Sequence, residues 1–586
     1  MGHNRDVISL TSLGRIARAG GGRGVAVVRR QRARQRRGAS WEQLSAAEKS
    51  IVRDADDVLA ARPSAALAVL VGENPTPLAS ALAAGYPRAT ITSIPVASES
   101  PSLHVRLAAA GPFRAIVVAT DVGPAGEDLA ALYRSVLFHL VPGGRLLMTD
   151  FHPGRPAPEG LWPTLHRLVA LREGGALSPV DADERALAAA TKRIVVNGTR
   201  LAVTNGTASL AKLRENEVDF VLRHRGGRDG QVLEYIEAES FERRGVIRDH
   251  REGTRQREAE TMAVPRLSLR QYPSAYCVPR QITVSGNLLL PDTYRHHLWG
   301  RLATSGTTEI SPLFAQVQMD LRKARDVDGS VFQWDSEWSG HFGHLMTEQL
   351  SRLWAWRSAK ERFPDLRPVL YKKRESDEIA TWERGLLESA GINANEAMVI
   401  AGPIRAERVI AATPMYSMPS YVSPRIAEVW DDVGRRAQVL AGSSTSPSRI
   451  FVSRRRKGRW CHNRDDLEGT FVEAGFTVVF PEDLPFVEQA VLFRNAEIVA
   501  GYAGSAMFTL ALCDPKRVLL VCSEGYIPHN EFMITAVRGH ELDVFWSVPD
   551  GAEVNRAFKF DFDREGRHLH RVLAELGGDG SSPGSG

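Results

Sequence analysis

Residues 338–353, which read WSGHFGHLMTEQLSRL, place two histidines and a carboxylate at helical spacing among apolar side chains. If a helix begins near His341, then His341, His344 and Glu348 lie within roughly 60° of one another around its axis. Histidine titrates near neutral pH, so such a row could take a proton from a hydroxyl group. The spacing therefore predicts an active-site helix that faces a cleft.

Other roles are open to the same side chains. Histidine and glutamate also ligate zinc, and a single histidine often caps a helix or forms hydrogen bonds in a core. Glu348, one turn after His344, could orient the histidine or act as the base itself.

A second group of residues reads SRRRK at 453–457 and follows a short apolar strand. Guanidinium groups at the end of a strand can bind a diphosphate through bidentate hydrogen bonds and so neutralise a leaving group. Arg454, Arg455 and Arg459 are the candidates, and Asn463 follows them. A run of arginines is equally typical of a solvated face or a nucleic-acid patch.

A third segment, AGYAGSAMF at 500–508, forms a predicted turn between a strand and an apolar helix. Gly501 and Gly504 would let the backbone approach a ligand, although close packing alone also explains glycine in such turns. The amides of Ser505 and Ala506 would open the helix toward an anion.

Three further side chains are candidates for contacts with a ligand. Glu488 lies in a predicted helix and could bond a ribose hydroxyl or simply face solvent. Trp334 and Trp338 could stack on a sugar ring, although tryptophan is more often found in a core.

The three segments occur in one order, and together they resemble glycosyltransferase family 61, the capsule-biosynthesis and O-linked glycan group, over about residues 265–548. The resemblance implies a GT-B fold of two facing Rossmann-like halves. It implies an inverting transfer from a nucleotide sugar, expected to be UDP-linked, to a glycan or polysaccharide acceptor. It also implies that no metal or cofactor is bound, and we expect no specific nucleic-acid partner.

The family motifs assign roles to residues of this chain. Phe342, Gly343 and His344 match an aromatic-glycine-histidine run, which makes His344 the expected base and places His341 on the acceptor side with Trp334 and Trp338. Arg454, Arg459 and Asn463 match a donor-binding motif, in which Arg464 stands where the family commonly has glutamate. Ala503 stands where members often have histidine.

The elements that position these residues alternate between strands and helices. We predict a first GT-B half over 261–430, on the acceptor side, and a second half over 431–576, on the nucleotide-sugar side. The fold class is therefore α/β, because two such units with a cleft between them are the natural assembly.

Residues 46–260 predict a further α/β domain with a parallel sheet and a hairpin-rich insertion. Residues 113–151 resemble the second half of class I methyltransferase domains. The first half differs, because the turn at 72–78 reads GENPTPL with two prolines and no second glycine, and strand two ends in Ser93, Ile94 and Pro95 without an acidic residue. We predict an inactive domain that does not bind adenosylmethionine.

Composition fits a large soluble protein. At 586 residues and 64.4 kDa, with 43% hydrophobic and 24% charged residues, the chain suits roughly three or four domains. Four widely spaced cysteines, no apolar run of roughly 18 residues and no signal peptide favour a cytoplasmic protein. Residues 577–586 predict a disordered tail.

The net charge of +5 is concentrated in residues 1–45, which we predict to be a basic, flexible segment. Its arginines could contact the inner face of a membrane. Two alternatives to the transferase hypothesis follow from these regions. One is a methyltransferase or bifunctional enzyme that modifies a glycan, and the other is a non-catalytic adaptor that binds nucleic acid or membrane through the arginine-rich segment.

Overall fold

The structure, a computed structural model, describes residues 20–72, 77–96, 100–119, 129–148, 161–174, 181–250, 260–374, 377–442, 446–455, 458–551 and 557–578. The chain forms two compact units. The first comprises residues 1–231, 272–276 and 282–323. The second comprises residues 232–271, 277–281 and 324–586. Within the described ranges, no helix is both long enough and apolar enough to cross a membrane.

Helices and strands are numbered in chain order. Up to residue 250 they are α1 (Gly20–Glu42), α2 (Ala46–Ala61), β1 (Ala66–Val71), α3 (Pro77–Gly85), β2 (Thr90–Pro95), α4 (Leu103–Ala110), β3 (Phe113–Val118), α5 (Leu129–Val136), β4 (Leu140–Met148), α6 (Leu161–Arg172), α7 (Ala182–Ala190), β5 (Thr191–Asn197), β6 (Arg200–Asn205), β7 (Leu210–Lys212), α8 (Glu215–His224), β8 (Gln231–Ile236), β9 (Glu239–Glu242) and β10 (Val246–Asp249). Between residues 260 and 340 they are β11 (Thr261–Val264), β12 (Leu267–Pro273), β13 (Tyr276–Val278), β14 (Ile282–Ser285), β15 (Leu288–Leu289), β16 (Thr307–Ser311), β17 (Phe314–Val317) and β18 (Arg325–Phe332). The remaining elements are α9 (Phe342–His344), α10 (Trp356–Arg362), β19 (Arg367–Tyr371), α11 (Thr381–Ser389), β20 (Met398–Ile400), β21 (Ile404–Ala412), β22 (Tyr416–Ser417), β23 (Tyr421–Val422), α12 (Ile426–Ala441), β24 (Arg449–Val452), α13 (Arg464–Glu473), β25 (Thr477–Val479), α14 (Phe486–Asn495), β26 (Ile498–Tyr502), β27 (Arg517–Ser523), α15 (His529–Arg538), β28 (Glu541–Pro549), β29 (Phe558–Lys559) and α16 (Gly566–Gly578).

The first unit contains the predicted parallel sheet. Its strand order is β2-β1-β3-β4-β6-β5, in which β1 to β4 are parallel and β6 runs antiparallel to both of its neighbours. Residues 67–70 of β1 are fully buried, as expected for a parallel strand that is covered on both faces. The mixed α/β class predicted for this region is confirmed. Residues 73–76 of the atypical turn lie outside the described residues, so the predicted absence of adenosylmethionine binding stays a prediction.

The N-terminal segment differs from the prediction of a flexible arm. Residues 20–42 form α1, and the side chain of Arg37 is buried against α2 and α3. Arg37 forms an ion pair with Asp56 and donates a hydrogen bond from Nε to the carbonyl oxygen of Ala81, at 3.2 Å. A buried guanidinium is tolerated because it is paired and hydrogen-bonded. Residues 1–19 lie outside the described residues, as do residues 579–586 of the predicted tail. Residues 577 and 578, which were predicted to belong to that tail, instead end α16.

The boundary between the units also differs from the predicted one. Residues 282–323, which we placed in the first GT-B half, belong to the first unit. There β17 pairs antiparallel with β16 and β7, and β15 pairs parallel with β7. Both β15 and β17 pair with β7, which lies about 75 residues or more earlier in the chain. The local sequence pattern therefore could not show that these strands belong to the first unit.

The second unit contains two parallel arrangements of strands. In its first half the order is β20-β19-β18-β21, and all three pairings are parallel. In its second half the order is β25-β24-β26-β27-β28-β10, again parallel throughout, with β29 antiparallel on β28. The edge strand β10 lies within residues 46–260, which we predicted to form the N-terminal domain, but it pairs with β28 of the second unit. One apolar cluster joins both halves and includes Trp334, Trp430, Phe508 and Trp546.

The predicted active-site helix is not a regular α-helix. It consists of one turn of α-helix, α9, followed by a π-helical segment at Leu345–Gln349 and a 3-10 segment at Leu350–Ala355. Hydroxyl groups in this stretch bond to backbone carbonyls, Thr347 to Gly343 at 2.9 Å and Ser351 to Glu348 at 2.7 Å. Such bonds compete with helical ones and favour irregular geometry. His341 precedes the helix, with extended backbone.

Candidate active site

A cavity of about 630 Å³ in the second unit is lined by both halves of that unit. Its wall combines two arginines, a histidine, two carboxylates and several aromatic rings. The first half contributes Gly340, His341, Phe342, Thr381 and Trp382. The second half contributes Val452, Ser453, Arg454, Gly458, Arg459, Pro481, Glu482, Asp483, Leu484, Pro485, Gln489, Tyr502, Gly504, Ser505 and Ala506. The volume suits a ligand of small-molecule size.

Arg454 leaves the end of β24 and is held by backbone carbonyls and an aromatic ring. Its Nη2 donates to the carbonyl oxygen of Ala503 at 2.9 Å, and its guanidinium carbon lies 5.3 Å from the centre of the Tyr502 ring. Burial, reinforced by the nearby Arg459, lowers the pKa of Arg454 to about 10, so the group remains charged near neutral pH. A partly buried cation that faces a cavity is a strong attractor of anions.

Arg459 is the second cation on the cavity wall. Its guanidinium lies 4.1 Å above the ring of Tyr526, and its backbone φ is +52°, an uncommon value for a residue other than glycine. Within the described part of the chain, neither Arg454 nor Arg459 forms an ion pair with a carboxylate. Both charges are therefore available to an anionic ligand.

The two glycines of the predicted turn have different roles, because Gly501 packs against a neighbouring strand and Gly504 lines the cavity. A Cβ atom on Gly501 would lie 2.7 Å from both the Cβ and the carbonyl oxygen of Val452, its partner in the neighbouring strand. Gly501 is thus explained by strand packing. Gly504 has φ +146°, and a Cβ atom there would lie 2.8 Å from Nη2 of Arg459. Gly504, Ser505 and Ala506 all line the cavity, where Ser505 begins a 3-10 helix.

The histidine row lies next to the same turn, since a Cβ atom on Gly343 would lie 2.8 Å from the Cβ of Ser505. His344 and Glu348 form a hydrogen bond of 2.7 Å between Nδ1 and Oε1, and the ring of His341 lies 4.9 Å from that of His344. His341 lines the cavity, whereas His344 lies behind it and its side chain is 19% exposed. Trp338 is 52% exposed, and its ring stacks on His344 at 6.1 Å. The row therefore contains an oriented imidazole next to a cavity-facing one.

The expectation for Trp334 is wrong. Its side chain is fully buried, and Nε1 donates to the carbonyl oxygen of Gln349 at 2.6 Å. It therefore belongs to the core and cannot stack on a ligand. Trp382 takes an aromatic position that the sequence did not reveal, because it lines the cavity and packs edge-to-face on Phe342 at 5.6 Å.

Besides Gly501, three predicted donor-binding residues do not line the cavity. Arg455 is exposed, its Nε and Nη2 donate to Asp483 at 2.9 and 2.7 Å, and its guanidinium lies on Phe480. Asn463 exchanges two hydrogen bonds of 2.9 Å with the backbone of Phe560. Glu488 is exposed on α14. Neighbours in sequence occupy the cavity wall instead, as Gln489 does beside Glu488.

A buried carboxylate behind the cavity was missed by sequence reasoning. Glu531 lies in the first turn of α15, is 2% exposed, and accepts the N–H of Gly504 at 2.7 Å. The signal available in the sequence was an acidic residue between two apolar strands, in a segment for which no helix was predicted. That signal is common and does not by itself mark a functional residue.

Among residues with described positions, no group of three or more His, Cys, Asp or Glu side chains is placed to hold a metal ion. His341, His344 and Glu348 thus do not form a three-ligand centre, and the zinc interpretation of this row receives no support.

A comparison with protein families finds one match within the second unit. The family model described as Glycosyltransferase 61 matches residues 342–520. No curated protein matches the chain.

Solved structures with some similarity include methyltransferases. One is the MycE methyltransferase from the mycinamycin biosynthetic pathway in complex with Mg and SAH, with 14% identity and a TM-score of 0.20 over 24% of this chain and 45% of that chain. Another is the release factor-specific protein-(glutamine-N5) methyltransferase from Alicyclobacillus acidocaldarius, with 21% identity and a TM-score of 0.19 over 28% of this chain and 95% of that chain. The chain thus spans less than half the length of MycE. These TM-scores are too low to assign either unit a fold or an activity.

The matched segment contains His344 and Glu348 of the histidine row, the two cavity arginines and the glycine turn. Residues 342–520, less than half of the chain, are therefore similar to the glycosyltransferase 61 family.

Proposed function

We propose that the second unit transfers a sugar from a nucleotide-sugar donor, expected to be UDP-linked, to a hydroxyl group of a glycan or polysaccharide acceptor, with inversion at the sugar carbon. One observation carries the proposal. Arg454, Arg459 and His341 line a single cavity, and the hydrogen-bonded pair of His344 and Glu348 lies next to His341.

The donor end of the cavity is its arginine wall. As the bond between sugar and diphosphate breaks, negative charge grows on the diphosphate oxygens, and fixed cations nearby stabilise that charge. Arg454 and Arg459 supply two cations in a partly buried setting, where electrostatic interactions are stronger than in water. In this proposal the two guanidinium groups perform the charge neutralisation that metal ions perform in other transferases, so we propose no bound metal or cofactor.

The amides of Ser505 and Ala506 add a second source of positive potential. They open the 3-10 helix at the cavity, and the first N–H groups of a helix have no partner within that helix. Gly504, just before them, has no side chain between the turn and Arg459. The backbone can therefore approach a phosphate group closely.

The acceptor end is the histidine row. The bond between His344 Nδ1 and Glu348 fixes the ring and leaves Nε2 to take the proton of the acceptor hydroxyl, which then attacks the sugar carbon. Glu348 is 7% exposed, so we assign it the orienting role. His341 and the exposed ring of Trp338 are positioned to contact the acceptor sugar.

We place this activity in the cytoplasm, at the inner face of a membrane. All four cysteines, Cys277, Cys461, Cys513 and Cys522, are free thiols, which suits a reducing compartment. The exposed arginines of α1, such as Arg29, Arg32 and Arg36, supply a basic surface that anionic lipids attract. This contact is peripheral in the proposal.

A panel of nucleotide sugars and nucleoside diphosphates tests the function by thermal shift. A ligand that binds the folded form raises the melting temperature as its concentration exceeds the dissociation constant. We expect one nucleotide class to stabilise the wild-type protein and to lose this effect in a variant that carries both Arg454→Ala and Arg459→Ala. Equal stabilisation of the two proteins, or none by any nucleotide, would contradict the proposal.

A further inference from the structure

Glu531 links two parts of the arginine wall without reaching the cavity itself. Its Oε1 accepts the N–H of Gly504 at 2.7 Å, and its Oε2 accepts the hydroxyl of Tyr526 at 3.4 Å. Gly504 begins the turn that leads to Ser505, and the ring of Tyr526 supports the guanidinium of Arg459. One carboxylate therefore contacts both the backbone turn and the aromatic base below a cavity cation.

The conformation of Arg459 depends on these contacts. Its backbone φ of +52° is costly for a residue with a side chain and persists only where surrounding contacts hold it. The guanidinium is confined on one side by the Tyr526 ring at 4.1 Å and on the other by Gly504, where a Cβ atom would lie 2.8 Å from Nη2. Movement of either neighbour would change the direction in which Arg459 points.

The placement of Glu531 is costly for the fold. Its side chain is buried, it forms no ion pair within the described part of the chain, and burial raises its pKa to about 7, against the opposing effects of the Gly504 N–H and Arg459. An apolar side chain of similar size would avoid this cost, because buried charges are often replaceable by apolar groups without loss of stability. Because Glu531 lowers stability and contacts two parts of the arginine wall, we infer that it serves the cavity site and does not stabilise the fold.

We propose that Glu531 is a positioning residue of the donor site, which holds the Gly504 turn and the Tyr526 ring so that Arg459 presents its guanidinium group to the diphosphate. The inference rests on the proposed nucleotide-sugar transferase activity and adds to it a residue that acts entirely through Arg459. Glu531 itself touches neither donor nor acceptor.

Two substitutions separate positioning from charge. Glu531→Gln keeps an oxygen that accepts the Gly504 N–H and removes the charge, so we expect binding of the diphosphate to stay within about threefold of wild type. Glu531→Met fills a similar volume and removes both acceptors. We expect it to weaken binding by about tenfold or more, because Arg459 loses its support.

Calorimetric titration with UDP and with GDP measures these effects, using whichever nucleotide binds the full-length wild-type protein more tightly. The decisive comparison is a double-mutant cycle with Arg459→Ala. If Glu531 acts through Arg459, adding Glu531→Met to Arg459→Ala should change affinity by less than about twofold. Circular dichroism establishes that each variant is folded. Should Glu531→Met fail to fold, Tyr526→Leu removes the same support, and we expect about fivefold weaker binding or more.

The outcomes are distinct. Affinity that is unchanged in Glu531→Met, or in Tyr526→Leu where that variant replaces it, would overturn the inference while leaving the transferase proposal intact. An equally large loss in the wild-type and Arg459→Ala backgrounds would also overturn it, because Glu531 would then act on the whole fold. A wild-type protein that binds neither UDP nor GDP and transfers no sugar would instead refute the proposed function.

Discussion

Gly343 of α9 and Ser505 of the glycine turn approach so closely that a Cβ atom built on Gly343 would lie 2.8 Å from the Cβ of Ser505. This contact joins the histidine row to the donor turn, since His344 follows Gly343 and Gly504 precedes Ser505. The two chemical ends of the cavity are therefore mutually positioned by one glycine. Phe508 lies on the same face, 3.0 Å from that Cβ position.

Gly343→Ala should accordingly disturb both stability and activity. Overpacking of this kind typically costs about 1–3 kcal/mol, and any relief must move the helix that carries His344 away from the turn. Gly469→Ala in α13 is the matched control, because no atom lies within 4 Å of its Cβ position. Melting temperature and turnover are measured for both variants. A Gly343→Ala protein that is as stable and active as Gly469→Ala would refute the close contact.

Replacing either cavity arginine should weaken donor binding. Arg454→Ala and Arg459→Ala each remove one charge-assisted contact, for which we expect a loss of about 10- to 100-fold in the affinity for UDP. Arg455→Ala is the control from the same run, since its guanidinium is occupied by Asp483. We expect that variant to bind UDP within about twofold of wild type. A larger effect of Arg455→Ala than of Arg454→Ala would argue against the assigned donor wall.

The two histidines should give different kinetic signatures. His344→Ala removes the proposed base and should lower kcat by about 10²- to 10⁴-fold, with little change in donor affinity. His341→Ala removes a cavity contact and should act mainly on the KM for the acceptor. Steady-state kinetics with each substrate varied in turn measures both effects. If His341→Ala causes the greater fall in kcat, then the cavity-facing histidine is the base.

Glu531 makes stability depend on pH in a defined direction. Burial raises its pKa to about 7 in the folded protein, above the ordinary value of 4.5, so the folded state favours the protonated carboxyl group. The resulting contribution to the free energy of unfolding is complete below about pH 4.5 and is lost as pH rises through about 7. Glutamine cannot ionise, so Glu531→Gln avoids this loss.

We therefore expect the stability of Glu531→Gln relative to wild type to increase between about pH 5 and pH 8, by up to about 3 kcal/mol. Urea unfolding at the two pH values measures the difference. Glu488→Gln in α14 is the control, because it removes the same charge from an exposed position. Its stability relative to wild type should not rise with pH. A relative stability that falls with rising pH would contradict the buried, protonated state.

The candidate site could be predicted in part, because its functional residues are of recognisable types and lie at the ends of strands and helices. Arg454 and the Gly504 turn follow strands of one parallel sheet, and the carboxyl ends of such strands meet at one edge. His344 and Glu348 meet at 2.7 Å as predicted, even though the helix between them is partly π-helical. Sequence separation of four residues was enough to bring this pair together.

Other positions could not be predicted, because side-chain direction depends on packing. Arg454 and Arg455 are consecutive, yet only the first lines the cavity, whereas the second is exposed and pairs with Asp483. Trp334 and Trp338 lie four residues apart in the same segment, but only Trp338 is exposed. Asn463 matched a family motif and instead fastens the backbone of Phe560.

By itself the sequence determined the α/β class, the alternation of strands and helices, and the chemical types available for a donor and an acceptor end. Those features depend on local periodicity and on residue type, and both can be determined from the sequence alone. The tertiary structure decided which charges share one cavity, that β10 completes the second sheet, and that Glu531 lies beneath Arg459. These relationships join residues that are distant in sequence, and only the packing of the folded core brings them within reach of one another.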